Sequence, residues 1–104
     1  MTKIVYFNAS EITRDYYKNN PLPIKAETVF MEKSPADLTA EELKKVSDAD
    51  VMSVFVHAVD VGARVLAQFP NLKLIALRST GYNNVDLAYC REHNIEVVNV
   101  PGYG

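Results

Sequence analysis

The strongest constraint in this sequence is a rhythm. Five short apolar runs, at residues 4–7, 28–31, 51–56, 72–77 and 95–100, alternate with longer polar stretches. The runs are rich in β-branched and aromatic residues, and near-continuous apolar runs belong to strands buried on both faces, as in parallel sheets. No two runs are joined by a two-residue hairpin turn, and every interval holds the dozen or so residues that a parallel crossover needs. Such crossovers are right-handed almost without exception. The expectation is therefore an α/β fold: a flavodoxin-like parallel five-stranded sheet, order 2-1-3-4-5, with helices on both faces.

The intervals carry helix signals. Ser10 precedes a helix over residues 11–19 whose apolar positions, Ile12 and Tyr16, lie about one turn apart, and Pro21 stops it. Thr39-Ala40-Glu41-Glu42 is a capping box, opening a second helix with Leu43 and Val46 facing inward. Asp60 is the expected cap of a third, with Val61, Val65, Leu66 and Phe69 as one stripe up to Pro70. Asn83 or Asn84 is the expected cap of a fourth, which carries Val85, Leu87, Ala88 and Cys90 and closes at His93-Asn94. A sheet of this order also needs a helix after its last strand, yet only Pro101-Gly102-Tyr103-Gly104 follows. That helix is expected to come from elsewhere, or one flank of the sheet stays exposed. A chain that closes on such a loop reads as part of something longer.

Composition removes several function classes. At 104 residues the chain is one domain, and a formal net charge of -2 with scattered basic residues argues against nucleic-acid binding, which rests on neutralising phosphates. No apolar run approaches the roughly 20 residues that cross a bilayer. The start has no signal-peptide pattern, so a soluble, cytoplasmic protein with no membrane partner is expected. The single cysteine, Cys90, forms neither an internal disulfide nor a zinc site, and on the apolar side of a helix it reads as a small buried hydrophobe.

In an open parallel sheet, ligands collect beyond the carboxyl ends of the strands. The loops leaving those ends are Asn8-Ala9-Ser10, His57-Ala58-Val59-Asp60, Arg78-Ser79-Thr80-Gly81-Tyr82 and Pro101-Gly102-Tyr103-Gly104. The third runs through a glycine toward a helix amino end, where free backbone N–H groups suit a carboxylate or phosphate. Spacing alone is equally met if Gly81 only supplies a positive φ for a tight turn. His57 stands on the ligand side but has no assignable carboxylate partner, whereas His93 in a last helical turn suits the helix dipole. Arg78 fits a substrate carboxylate or a surface acid alike. Tyr82 and Tyr103 are the tyrosines in ligand-side loops; Tyr6, Tyr16, Tyr17 and Tyr89 read as packing residues. A GxGxxG fingerprint, a Walker A loop, a GxSxG elbow and an HExxH motif are all absent.

Residues 70–87, with Leu77-Arg78-Ser79-Thr80-Gly81-Tyr82-Asn83-Asn84-Val85-Asp86 at their centre, and residues 97–104 together resemble the amino-terminal region of NAD-dependent D-isomer-specific 2-hydroxyacid dehydrogenases. The likeness is to the D-lactate dehydrogenase branch. It implies that residues 1–104 are the amino-terminal part of a substrate-binding domain, completed by the far end of a longer chain. The NAD-binding Rossmann domain would be absent from these residues. The family interconverts a small 2-oxo acid and its D-2-hydroxy acid with NAD, using an Arg and a His–Glu pair that would lie beyond residue 104. Position by position, the resemblance gives the substrate carboxylate to the amides of Thr80 and Gly81. It places Tyr103 in the pocket lining and His57 in the loop that shapes side-chain specificity. Asn83 stands where the family commonly has Asp. The parent is expected to be a homodimer, and this piece alone to be inactive. The competing expectation is a stand-alone flavodoxin-like binding or protein-interaction module without catalysis, including a corepressor-like parent.

Overall fold

The strand runs pair as one all-parallel sheet: β1 (Thr2–Tyr6), β2 (Ala26–Phe30), β3 (Val51–Val54), β4 (Leu74–Leu77) and β5 (Glu96–Asn99), in the order β2-β1-β3-β4-β5. Between them lie α1 (Glu11–Asn19), α2 (Ala40–Val46), α3 (Ala63–Leu66) and α4 (Leu87–Glu92). This computed structural model describes residues 2–19, 25–54, 61–77 and 85–99. Order, direction and alternation are those the sequence rhythm predicts.

Register separates the two faces. Val5, Met52, Ile75 and Val97 stand in one row across the sheet, and Ile4, Val51, Leu74 and Glu96 in the next, on the opposite face. The first row belongs to a large core with Phe7, Val54 and Leu77, closed by Val46 of α2, Val65 and Leu66 of α3, and Cys90 of α4. Each fully buried large apolar side chain there contributes about 1.5–3 kcal/mol. The opposite face holds a smaller cluster of Ile4, Tyr6 and Ala9, with Tyr17 of α1 and Phe30 packed against it. The Tyr6 ring lies 4.3 Å from Tyr17 and 5.0 Å from Phe30, centroid to centroid. Toward β5 this face thins out: Leu74 and Ala76 are only partly buried, and Val98 is 38% exposed.

The capping box on α2 forms as expected. The Glu42 amide donates to Thr39 Oγ1 at 3.2 Å, and the Thr39 amide donates to Glu42 Oε1 at 2.9 Å. Lys33 Nζ also donates to Glu42 Oε1 at 2.9 Å. The backbone hydrogen bond from Thr39, then the bond from Lys33, hold the Glu42 carboxyl down at about 2. At the other end of the sheet, the Lys3 amide donates to Asp50 Oδ2 (2.9 Å) and Lys3 Nζ to Asp48 Oδ1 (2.8 Å). The bond from Lys3 holds the exposed Asp48 carboxyl below its ordinary range.

Four local expectations are corrected. The Ile12–Tyr16 stripe does not face the core: Ile12 is 77% and Tyr16 46% exposed, and α1 packs through Tyr17 instead. Helix α3 is capped by Gly62, not Asp60, and starts at Ala63 because Val61 is taken up by a parallel bridge to Val85. The same bridge delays α4, which is capped by Asp86 rather than Asn83 or Asn84. Asp86 Oδ1 accepts the Tyr89 amide at 2.9 Å. Leu87, taken as part of the apolar side of α4, is 45% exposed. The closing of α4 is as expected. His93 is the C-cap, and Asn94 sits in the left-handed region at φ 59. The Ile95 amide reaches back to the Cys90 carbonyl at 2.8 Å, completing a Schellman motif. No helix among the described residues is long and apolar enough to cross a membrane.

Candidate functional site

Strand order reverses direction between β1 and β3, so the crevice for a ligand lies over their carboxyl ends. Hydrogen bonds show where the two strands part. The Phe7 amide still donates to Ser53 of β3 at 2.8 Å. The next two amides turn to the other neighbour, Asn8 to the Lys33 carbonyl (3.0 Å) and Ala9 to the Met31 carbonyl (2.9 Å). The chain makes this turn through Asn8 at φ 55, a left-handed conformation that asparagine tolerates better than most residues. The Ser10 carbonyl then accepts the Arg14 amide at 3.0 Å, the first bond of α1.

His57, Thr80, Gly81 and Tyr103 lie outside the described residues, as do Arg78 and Tyr82. The described residues fix the anchors on either side of the segments that carry them. Val54 pairs with Leu77, and Leu77 with Asn99, so the described parts of β3, β4 and β5 stand in one register. Adjacent strands stand about 4.8 Å apart. Residues 55–60 and 78–84 also rejoin described structure at one point, where Val61 bridges Val85 and the Asp86 amide donates to the Val61 carbonyl at 3.2 Å. The described residues that flank the two segments are thus paired on both sides. Val61 and Val85 are both buried, which fixes that second pairing in the core.

The remaining reactive groups are structural. Cys90 is buried, and burial followed by the nearby Asp86 carboxylate raises its thiol pKa, the reverse of what a nucleophile needs. His93 stacks on Tyr89 with centroids 3.9 Å apart, at the closed end of α4. Among the described residues no group of three or more His, Cys, Asp or Glu could hold a metal ion.

A dinucleotide does not fit the turn after β1. A pyrophosphate cradle needs glycines there so that backbone can approach the phosphates. This turn reads Asn8-Ala9-Ser10, and Ala9 is 1% exposed, so its methyl group fills the space. Sequence reading named this loop but gave Asn8 no role; the legible signal was an asparagine at a strand-to-helix turn, where positive φ is common.

Comparison with known proteins agrees with this architecture. Residues 4–104 match the family model for the D-isomer specific 2-hydroxyacid dehydrogenase catalytic domain. A putative 2-hydroxyacid dehydrogenase of Haemophilus influenzae is 38% identical over 101 residues, covering 97% of this chain and 30% of that protein. The apo structure of Escherichia coli D-lactate dehydrogenase superposes with a TM-score of 0.80 at 28% identity, over 99% of this chain and 32% of that one. D-lactate dehydrogenase of Aquifex aeolicus, solved with NAD and lactic acid, shares the fold with a TM-score of 0.78 at 23% identity, over 97% of this chain and 28% of that one. The chain spans between 20% and 30% of the length of the first curated relatives it matches. With its parallel 2-1-3-4-5 sheet and its match to the catalytic-domain model over nearly its whole length, the chain belongs to the D-isomer specific 2-hydroxyacid dehydrogenase family.

Proposed function

We propose that this chain is the amino-terminal part of the substrate-binding domain of a D-lactate dehydrogenase-like enzyme. The whole protein, a homodimer in the cytoplasm, interconverts a small 2-oxo acid such as pyruvate with its D-2-hydroxy acid. NAD belongs, in this reading, to a separate Rossmann domain outside residues 1–104. The misfit of a dinucleotide at the Ala9 turn supports that division. The amides of Thr80 and Gly81 hold the acid's carboxylate, Tyr103 lines the pocket, and His57 contributes to side-chain specificity. The observation that carries the reading is the catalytic-domain match over residues 4–104, on a parallel sheet of order β2-β1-β3-β4-β5. The thin cover over Leu74, Ala76 and Val98 supports a further helix supplied by the rest of the protein.

In this chain the chemistry is limited to binding and orientation. Backbone donors neutralise a carboxylate without carrying a titratable proton, so they hold the acid in one pose across the working pH range. The test is amide NMR with oxamate, a non-reactive pyruvate analogue. The Thr80 and Gly81 amide resonances should shift saturably, and their indifference to oxamate overturns the assignment. Mixed with NADH and pyruvate, the purified chain should consume no NADH; turnover would contradict the division of labour between domains.

A further inference from the structure

We infer that the side of α1 carrying Ile12 and Tyr16 is one wall of a docking groove whose floor is Leu74, Ala76 and Val98. Its occupant is a single amphipathic helix from the rest of the protein, which touches wall and floor together. This rests on the reading of the chain as part of a longer enzyme, and adds to it a contact surface on α1 and the chemistry of what meets it.

Helical geometry sets which way Ile12 and Tyr16 look. Each residue advances by about 100° around a helix of 3.6 residues per turn. Tyr17 points down onto the sheet, where its ring lies 4.3 Å from that of Tyr6. Arg14 projects to one side, toward the edge strand β2: its guanidinium stands 3.9 Å from Glu32, just past the end of that strand. Tyr16 and Ile12, one turn apart, fall about 100–140° from Tyr17 on the other side. That side looks across β3 toward β4 and β5. The Tyr16 ring leans on Tyr17 at 5.1 Å and is still nearly half exposed, and most of Ile12 is in water.

The dimensions admit one helix. Tyr17 packs with Tyr6 and Phe30, so α1 sits over β1 and β2. Strands stand about 4.8 Å apart, and a second helix at the usual 8–10 Å from α1 lies about two strands further on, over β3 and β4. Its underside there meets the partly buried Leu74 and Ala76, with the more exposed Val98 at its far margin. Its near side meets Tyr16 and Ile12. Glu96 shares the row of Leu74 and is exposed, which favours a basic residue on the far side of the helix. The occupant therefore has an apolar face wide enough for floor and wall, and a positive charge toward β5. Relatives have chain to supply it: these residues span 30% of the Haemophilus influenzae protein. A segment tied to the same chain also meets the groove at a far higher effective concentration than a second copy does.

The experiment is alkylation by N-ethylmaleimide, followed by mass spectrometry, in this chain and in the longer protein. Ile12→Cys reports on the wall and Val98→Cys on the floor, with Lys18→Cys, on the Arg14 side of α1, as control. All three positions are exposed, so the substitutions leave the fold in place, and the native Cys90 is buried. In the 104-residue chain the three thiols should react at similar rates. In the longer protein Ile12→Cys and Val98→Cys should slow by about 10-fold or more, as for sites reached only by local opening, while Lys18→Cys keeps its rate. Protection of Val98→Cys without Ile12→Cys overturns the role of α1 and leaves the covering helix of the proposed reading standing. Protection of Ile12→Cys alone overturns the shared groove. Protection of neither removes the covering helix as well. Protection already present in the 104-residue chain, and growing with its concentration, gives this face to a second copy and overturns the inference too.

Discussion

The two faces of the sheet are built from the same strands yet are finished differently. On one, sixteen buried residues among those described form a continuous core beneath α2, α3 and α4. On the other, three of the described residues are buried under α1, and the row from Leu74 to Val98 keeps part of its apolar surface in water. Right-handed crossovers explain the split. Moving outward from β1 to β2 puts α1 on one face, and moving the opposite way through β3, β4 and β5 puts the later helices on the other. A sheet with one central reversal therefore assigns α1 to one face and α2, α3 and α4 to its opposite. The lesson is that the described residues close one face of the sheet and leave part of the other in water.

The contrast can be broken most sharply inside β4, where neighbouring residues look in opposite directions. Ile75 is fully buried and Leu74 only partly. Ile75→Ala should cost about 2–5 kcal/mol in urea unfolding, and Leu74→Ala clearly less. Equal losses would mean that both faces are closed within these residues.

A smaller effect separates the faces by pH. The Glu42 carboxyl that caps α2, on the closed face, is held at about 2 against an ordinary 4.5. A folded-state pKa below the unfolded one gives stability that is present above about 4.5 and lost as the pH falls toward about 2. Acid titration followed by circular dichroism should show this loss, and Glu42→Gln should flatten that part of the curve while the amide still reaches back to Thr39. An unchanged acid limb in Glu42→Gln would remove the box from the account of the closed face.

The smallest effect belongs to the open flank. Val98→Ser should change stability by no more than about 0.5 kcal/mol in this chain, as for an exposed position. Under the proposed reading, in which a helix of a longer chain covers this flank, the same substitution should cost more there. A large loss in the isolated chain would show that its own residues already cover the flank.

Much of this was legible before any coordinates. Five apolar runs at crossover spacing specify a parallel sheet, and the Thr39–Glu42 box and the His93-Asn94 closure are local chemistry that the fold leaves intact. The misreadings share one cause. Val61 and Val85 follow helical spacing in the sequence, but they pair with each other across 24 residues, and α3 and α4 start only after them. Periodicity along one segment carries no information about a partner in another. Ile12 and Tyr16 likewise satisfy a helical repeat, yet which side of α1 meets the sheet depends on where Tyr6 and Phe30 stand.

The candidate site divides in the same way. Its loops could be named from strand ends alone, and Thr80, Gly81, Tyr103 and His57 came from resemblance rather than geometry. The sequence by itself determined the strand rhythm, the local caps and the family, because each is written in short-range pattern. Only the tertiary structure decided that β1 and β3 part at Asn8, that an amide oxygen is left there unpaired, and that one face of the sheet is thinly covered. Those outcomes depend on which distant backbones come to lie side by side, and burial and pairing exist only once they do.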